Sequence, residues 1–141
     1  MKQQASISNF QAMMLGLVAL VMFLPGLFVI PPIDRDEPRF AQSAKQMVET
    51  GELIDIRFQE DPRHKKPVGV YWAQAAMVEL LDPDMSEGIW VHRLVSVFAM
   101  VGVVILTAQT AAILVSIRAG MVAGLALASM LLVGVEARLA K

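Results

Sequence analysis

The chain contains no cysteine, which excludes disulfides, a thiolate nucleophile and a thiolate-held metal. Charge of either sign is absent from two long stretches, residues 12–33 and 94–117. A net charge of −1 leaves no basic excess of the kind that marks a nucleic-acid-binding face, so no nucleic-acid partner is expected. Aromatic residues are few, with one tyrosine and two tryptophans. What fills the chain instead is aliphatic: 56% of residues are apolar and the mean hydropathy is +0.57. Soluble domains average about 45–50% apolar on a count that includes glycine. The uncharged stretches are long enough, at about 1.5 Å per helical residue, to cross a hydrocarbon core of about 30 Å.

These features predict an all-α membrane protein with three transmembrane helices, spanning about 12–33, 92–117 and 119–135. The first run carries Pro25-Gly26 and is expected to kink there, as membrane helices tolerate when neighbours satisfy the freed carbonyl. A signal peptide is the competing reading of a basic start and an apolar run. The run is longer than a typical signal core, however, and Val29-Ile30-Pro31-Pro32 is a poor cleavage site. In the third run, Gly120 and Gly124 stand four apart, the spacing of close small-residue packing between helices.

Most of the charge lies between the first two runs, in a loop over residues 34–91. Phe40, Ala44, Met47 and Val48 fall on one face of a 3.6-residue period, with Asp36 as the expected N-cap, or Asp34 with Glu37 as a competing cap. Pro38 sits in the first turn and Gly51 is the natural stop. A second helix is expected from Pro67 to Leu81, with Trp72, Ala76, Met77 and Leu80 on one stripe. At about 15 residues it is too short to cross, and it reads as an interfacial helix with Tyr71 and Trp72 at headgroup depth. The intervening Glu52–Arg63 reads as irregular. Charge does not fix the orientation: the loop holds seven Lys/Arg against Lys2 and Arg118 on the other side, but long loops cross largely regardless of charge.

Two chemical readings compete for this loop. Carboxylates at Asp36 and Glu37, with cations at Arg39, Lys65, Lys66 and Arg93, beside a bilayer, suit chemistry on a lipid with a phosphate head. The plainer reading makes Asp36 a helix cap and Lys65-Lys66 a basic run drawn to anionic headgroups. That second reading describes a small non-catalytic membrane protein whose loop binds membrane lipids or a partner.

Asp36-Glu37-Pro38-Arg39-Phe40-Ala41, then Lys66-Pro67 followed by Tyr71-Trp72, resembles the first extracytoplasmic loop of the aminoarabinose transferase and protein-mannosyltransferase-like glycosyltransferases. Arg93-Leu94-x-Ser96 and Ala137-Arg138-x-Ala140 extend the resemblance over essentially the whole chain. The resemblance implies a polytopic enzyme of the plasma (inner) membrane, with loop 34–91 outside, that moves sugar from a polyprenyl-phosphate carrier to a lipid, glycan or protein. It implies Asp36 as the catalytic carboxylate, with Lys66, Arg39, Glu37 and Arg93 as substrate-binding residues. Two positions depart from the family pattern. Phe40 stands where the family usually has Tyr. Lys65 stands where the aminoarabinose branch often has an acid tied to a divalent cation, so no metal ligand is assigned and the cofactor stays unknown. The family continues well beyond three spans, which makes this chain the expected N-terminal portion of such an enzyme, inactive alone.

Overall fold

The computed structural model describes residues 5–33, 35–64, 66–82, 84 and 88–140; Asp34 and Lys65 lie outside them. The described residues are mostly helical: α1 (Asn9–Phe23), α2 (Glu37–Thr50), α3 (Gly69–Leu81), α4 (Trp90–Leu114), α5 (Ile117–Ser129) and α6 (Leu131–Ala137), with a hairpin of β1 (Arg57–Phe58) and β2 (Asp61–Pro62). They divide into two compact units, residues 1–25 with 97–138, and 26–96 with 139–141.

In the first unit, α1 opens on a capping box: Ser8 Oγ accepts from the Gln11 N–H, and the Gln11 side chain accepts from the Ser8 N–H. Pro25 lacks the N–H that would continue the helix, and α1 stops at Phe23. The expected single helix over 12–33 is therefore corrected to 15 residues followed by turns. The carbonyls left at its end are gathered by Arg138, whose Nε and Nη2 donate to the Pro25 and Met22 oxygens, both at 2.7 Å. A cation at a helix C-terminus is favoured by both the open carbonyls and the dipole.

α5 packs on α4 and α1 through its glycines. A Cβ on Gly120 would run into the Ala108 carbonyl oxygen and lie 2.9 Å from the Ala112 Cβ, and one on Gly124 would lie 3.0 Å from the Ala108 Cβ. The four-residue glycine spacing thus serves contact between helices of this chain. The expected third span, 119–135, is broken: α5 and α6 meet at Met130, extended at ψ 126°, with a bend of 65°. One helix, α4, with 25 residues and a mean hydropathy of 2.2, is long and apolar enough to cross a membrane, and the bent α5–α6 pair passes the same test only if taken as one span.

The second unit is built on α2 packed against α3. Phe40, Met47, Ile56, Tyr71 and Ala75 form its apolar core, flanked by Val48, Val68 and Val70. α2 ends where expected, on Gly51 at φ +70°, the left-handed conformation that glycine adopts without a Cβ penalty. The region read as irregular contains a tight hairpin pairing Arg57 with Pro62 and Phe58 with Asp61. Its turn residue Gln59, at φ +59°, is held to α2 by two hydrogen bonds with the Gln46 amide. On α3 the buried residues are Tyr71, Gln74, Ala75 and Val78. The stripe of Trp72, Ala76 and Leu80 is exposed, an apolar face next to exposed Leu53 and Ile54. Tyr71 is corrected from headgroup depth to the core, at 0% exposure.

Candidate functional site

Two polar groupings occur in the second unit, both rooted in the first turn of α2. The first is a closed cluster around Glu37 and Arg93, each fully buried. Arg93 Nε and Nη2 donate to the two Glu37 carboxylate oxygens at 2.9 and 3.1 Å. Its Nη1 donates to the Leu27 and Ile30 carbonyls, and Nη2 also to the Pro31 carbonyl. All five guanidinium N–H groups are thereby satisfied. Glu37 accepts further from the Ile33 N–H at 3.1 Å and the Ala140 N–H at 2.9 Å, two donors on each oxygen. Burial pushes the Glu37 carboxyl up, but the Arg93 hydrogen bonds, the two backbone N–H groups and the Arg93 charge outweigh it, and the carboxyl sits below its ordinary value of 4.5. Ser96, on the same turn of α4 as Arg93, donates to the Leu139 carbonyl at 2.6 Å. Glu37 and Arg93, expected as substrate-binding residues, are here each fully buried, with every guanidinium N–H and both carboxylate oxygens bonded within the protein. Only a bonding inventory, not the residue types, reveals this arrangement.

The second grouping opens outward. Asp36 and Lys66, 30 positions apart in the sequence, line one cleft of about 350 Å3 with Phe40, Pro67 and Val70. Asp36 precedes α2 with its side chain making no capping bond. The expected cap is thus corrected: the Asp36 backbone is itself helical at φ −81° and ψ −27°, whereas a capping residue needs an extended backbone to turn its side chain onto the first-turn N–H groups. The Asp36 carboxylate is directed toward cations: Arg39 lies at 3.7 Å and Arg63 at 3.8 Å. Lys66 is exposed.

Arg63 had no assigned role in the sequence. It is buried, donates from Nε to the Tyr71 hydroxyl at 3.2 Å, and places its guanidinium 5.5 Å from the Phe40 ring centroid. Phe40 and Tyr71 stack at 5.1 Å and 23°. Phe40 thus offers an aromatic face to a cation, an arrangement worth about 0.5–2 kcal/mol depending on desolvation. The only available signal was the position of Arg63 within a basic run.

Among the described residues no group of three or more His, Asp or Glu gathers to hold a metal ion. Asp36 is flanked by guanidinium groups rather than other carboxylates, so these residues do not fit a divalent cation. The cleft carries one cation, Lys66, and one carboxylate, Asp36, over an apolar floor of Phe40, Pro67 and Val70. Comparison with protein-family models, with curated proteins and with solved structures finds no match to this chain.

Proposed function

We propose that this chain supplies the catalytic loop of a membrane glycosyltransferase that takes sugar from a polyprenyl-phosphate carrier, and that it is the N-terminal portion of that enzyme. The observation that carries the reading is the shared cleft: Asp36 and Lys66, the two residues that the motif resemblance singles out, line it together. In the proposed step, the Asp36 carboxylate takes the proton from an acceptor hydroxyl. The acceptor oxygen bonds to the anomeric carbon as the bond from that carbon to the phosphate oxygen breaks. The charge left on the polyprenyl phosphate meets the Lys66 ammonium, with Arg39 close by. Glu37 and Arg93 hold the frame from which Asp36 projects. In the same reading α1, α4 and the bent α5–α6 pair are three passes through the plasma (inner) membrane. Loop 34–91 then lies outside, with the exposed stripe of α3 against the bilayer.

The test is transfer by the complete enzyme in membranes, with a panel of polyprenyl-phosphate sugars. Because Asp36 makes no capping bond, Asp36→Asn should leave stability nearly unchanged while activity falls about 10²–10⁴-fold. Lys66→Ala should lower activity with the fold intact. Near-normal transfer by Asp36→Asn would refute the assignment.

A further inference from the structure

Residues 26–33 follow α1 without forming a helix, and none of them carries a polar side chain. Leu27 is buried, but Phe28, Val29 and Ile33 turn outward, at 65%, 85% and 71% exposure. A surface turn in water can leave its peptide groups to the solvent. Here they are held from within. The Leu27, Ile30 and Pro31 carbonyls accept from Arg93, the Gly26 carbonyl accepts from the Val29 and Ile30 N–H groups, and the Ile33 N–H donates to Glu37. Pro31 and Pro32 have no N–H to satisfy. An apolar exterior over an internally bonded backbone is what non-helical chain needs at membrane depth, where no water completes the bonding.

A neighbouring aromatic residue indicates the depth. The Phe28 and Trp90 rings lie 5.1 Å apart, centre to centre, with their planes at 55°, and Trp90 opens α4. The 25 residues of α4 reach about 37 Å, about 7 Å more than a hydrocarbon core of about 30 Å. One end turn is thus left for the headgroup level, which tryptophan favours. Trp90 occupies such a turn, and no aromatic residue occurs from 99 to 118 at the other end. We propose that the turn Phe28–Ile33 is embedded in the bilayer where headgroups meet acyl chains, with Phe28, Val29 and Ile33 against lipid. The proposal rests on the passage of α4 through the membrane and not on the chemistry assigned to Asp36.

Because the chain has no cysteine, single cysteines carry a nitroxide without background. Val29→Cys and Ile33→Cys are labelled in the whole chain, reconstituted in phosphatidylcholine vesicles. Leu106→Cys, exposed on α4, and Glu60→Cys, exposed between the hairpin strands, serve as references. Spin relaxation by oxygen, which concentrates in lipid, is compared with relaxation by a water-soluble nickel chelate. The expected result is an oxygen-to-nickel ratio at both turn positions above that at Glu60, with Leu106 also reporting lipid. A ratio at Val29 no higher than at Glu60, while Leu106 reports lipid, overturns the placement of the turn and leaves the span standing. Weak relaxation by both reagents at Val29 overturns it too, since protein would then cover the face. Water-like values at Leu106 would overturn the span and the proposal with it.

Discussion

Replacing Glu37 by glutamine exchanges one oxygen for an NH2 and removes one charge, yet it should destabilise the second unit severely. Each Glu37 oxygen accepts two N–H groups. A glutamine amide has one oxygen, so two of the four donors would then face another donor. The Arg93 guanidinium, fully buried, would keep its charge without a counter-charge. Removing one partner of a buried ion pair costs about 3–5 kcal/mol, or roughly a 100- to 4,000-fold change in the unfolding equilibrium at about 1.4 kcal/mol per decade. Arg93→Met should cost a similar amount, since the Leu27, Ile30 and Pro31 carbonyls lose the donors they share. Both tryptophans, Trp72 and Trp90, lie in this unit, so their fluorescence reports its unfolding in mixed micelles of mild detergent and SDS. The double variant Glu37→Leu/Arg93→Met should be less destabilised than the sum of Glu37→Leu and Arg93→Met measured singly, by about 1–3 kcal/mol. Acid provides an independent check. The folded-state value of Glu37 lies below 4.5, so its stabilisation is present above about that pH and is lost as the pH falls through the folded-state value. Glu37→Gln should flatten that acid limb. Single variants costing under about 1 kcal/mol, or an additive double, would refute the reasoning.

Three further outcomes are expected. Gly120→Ala should destabilise α4–α5 packing by about 1–3 kcal/mol in an unfolding titration followed by far-UV circular dichroism, because its Cβ meets the Ala108 carbonyl. Gly102→Ala, with nothing within 4 Å of the added carbon, should be stabilising by about 0.5–1 kcal/mol. Equal effects at the two sites would dismiss the packing account. Arg63→Lys keeps charge but loses the planar contact with Phe40 and the geometry toward Tyr71, so it should destabilise the second unit in the tryptophan-fluorescence assay, while Arg57→Lys, on the exposed hairpin, should leave stability unchanged. For topology, cysteines introduced at Glu52 and Ala119 are the chain's sole thiols; an impermeant reagent on intact cells should label position 52 and not 119.

Features written in local chemistry were legible in the sequence. The helical class, the stop of α2 at Gly51, the first-turn Pro38 and the end of α3 near Asp82 follow from capping, proline and glycine rules acting within a few residues. The motif resemblance named Asp36 and Lys66 together, and both line one cleft. What could not be read depends on partners distant in the chain. Asp36 has the right chemistry for a cap, but its backbone is already helical and its carboxylate is directed toward Arg39 and Arg63, the latter 27 positions away. Asp34 and Lys65 fall outside the described residues, so the competing cap and the departure at Lys65 are not decided by geometry. The bend at Met130 carries no proline and left no periodic mark. The role of Arg63 depends on an aromatic stack that joins α2 to α3.

The cluster around Glu37 also sets an order of events during synthesis. Arg93 follows Glu37 by 56 positions and Ala140 by 103. At about 5–20 residues per second, the carboxylate waits roughly 3–11 s for its cation and roughly 5–20 s for its last N–H donor. Through that interval it stays hydrated or protonated, because an isolated charge is not taken into an apolar interior. The first loop therefore reaches its final arrangement late, sealed by residues that leave the ribosome after α6.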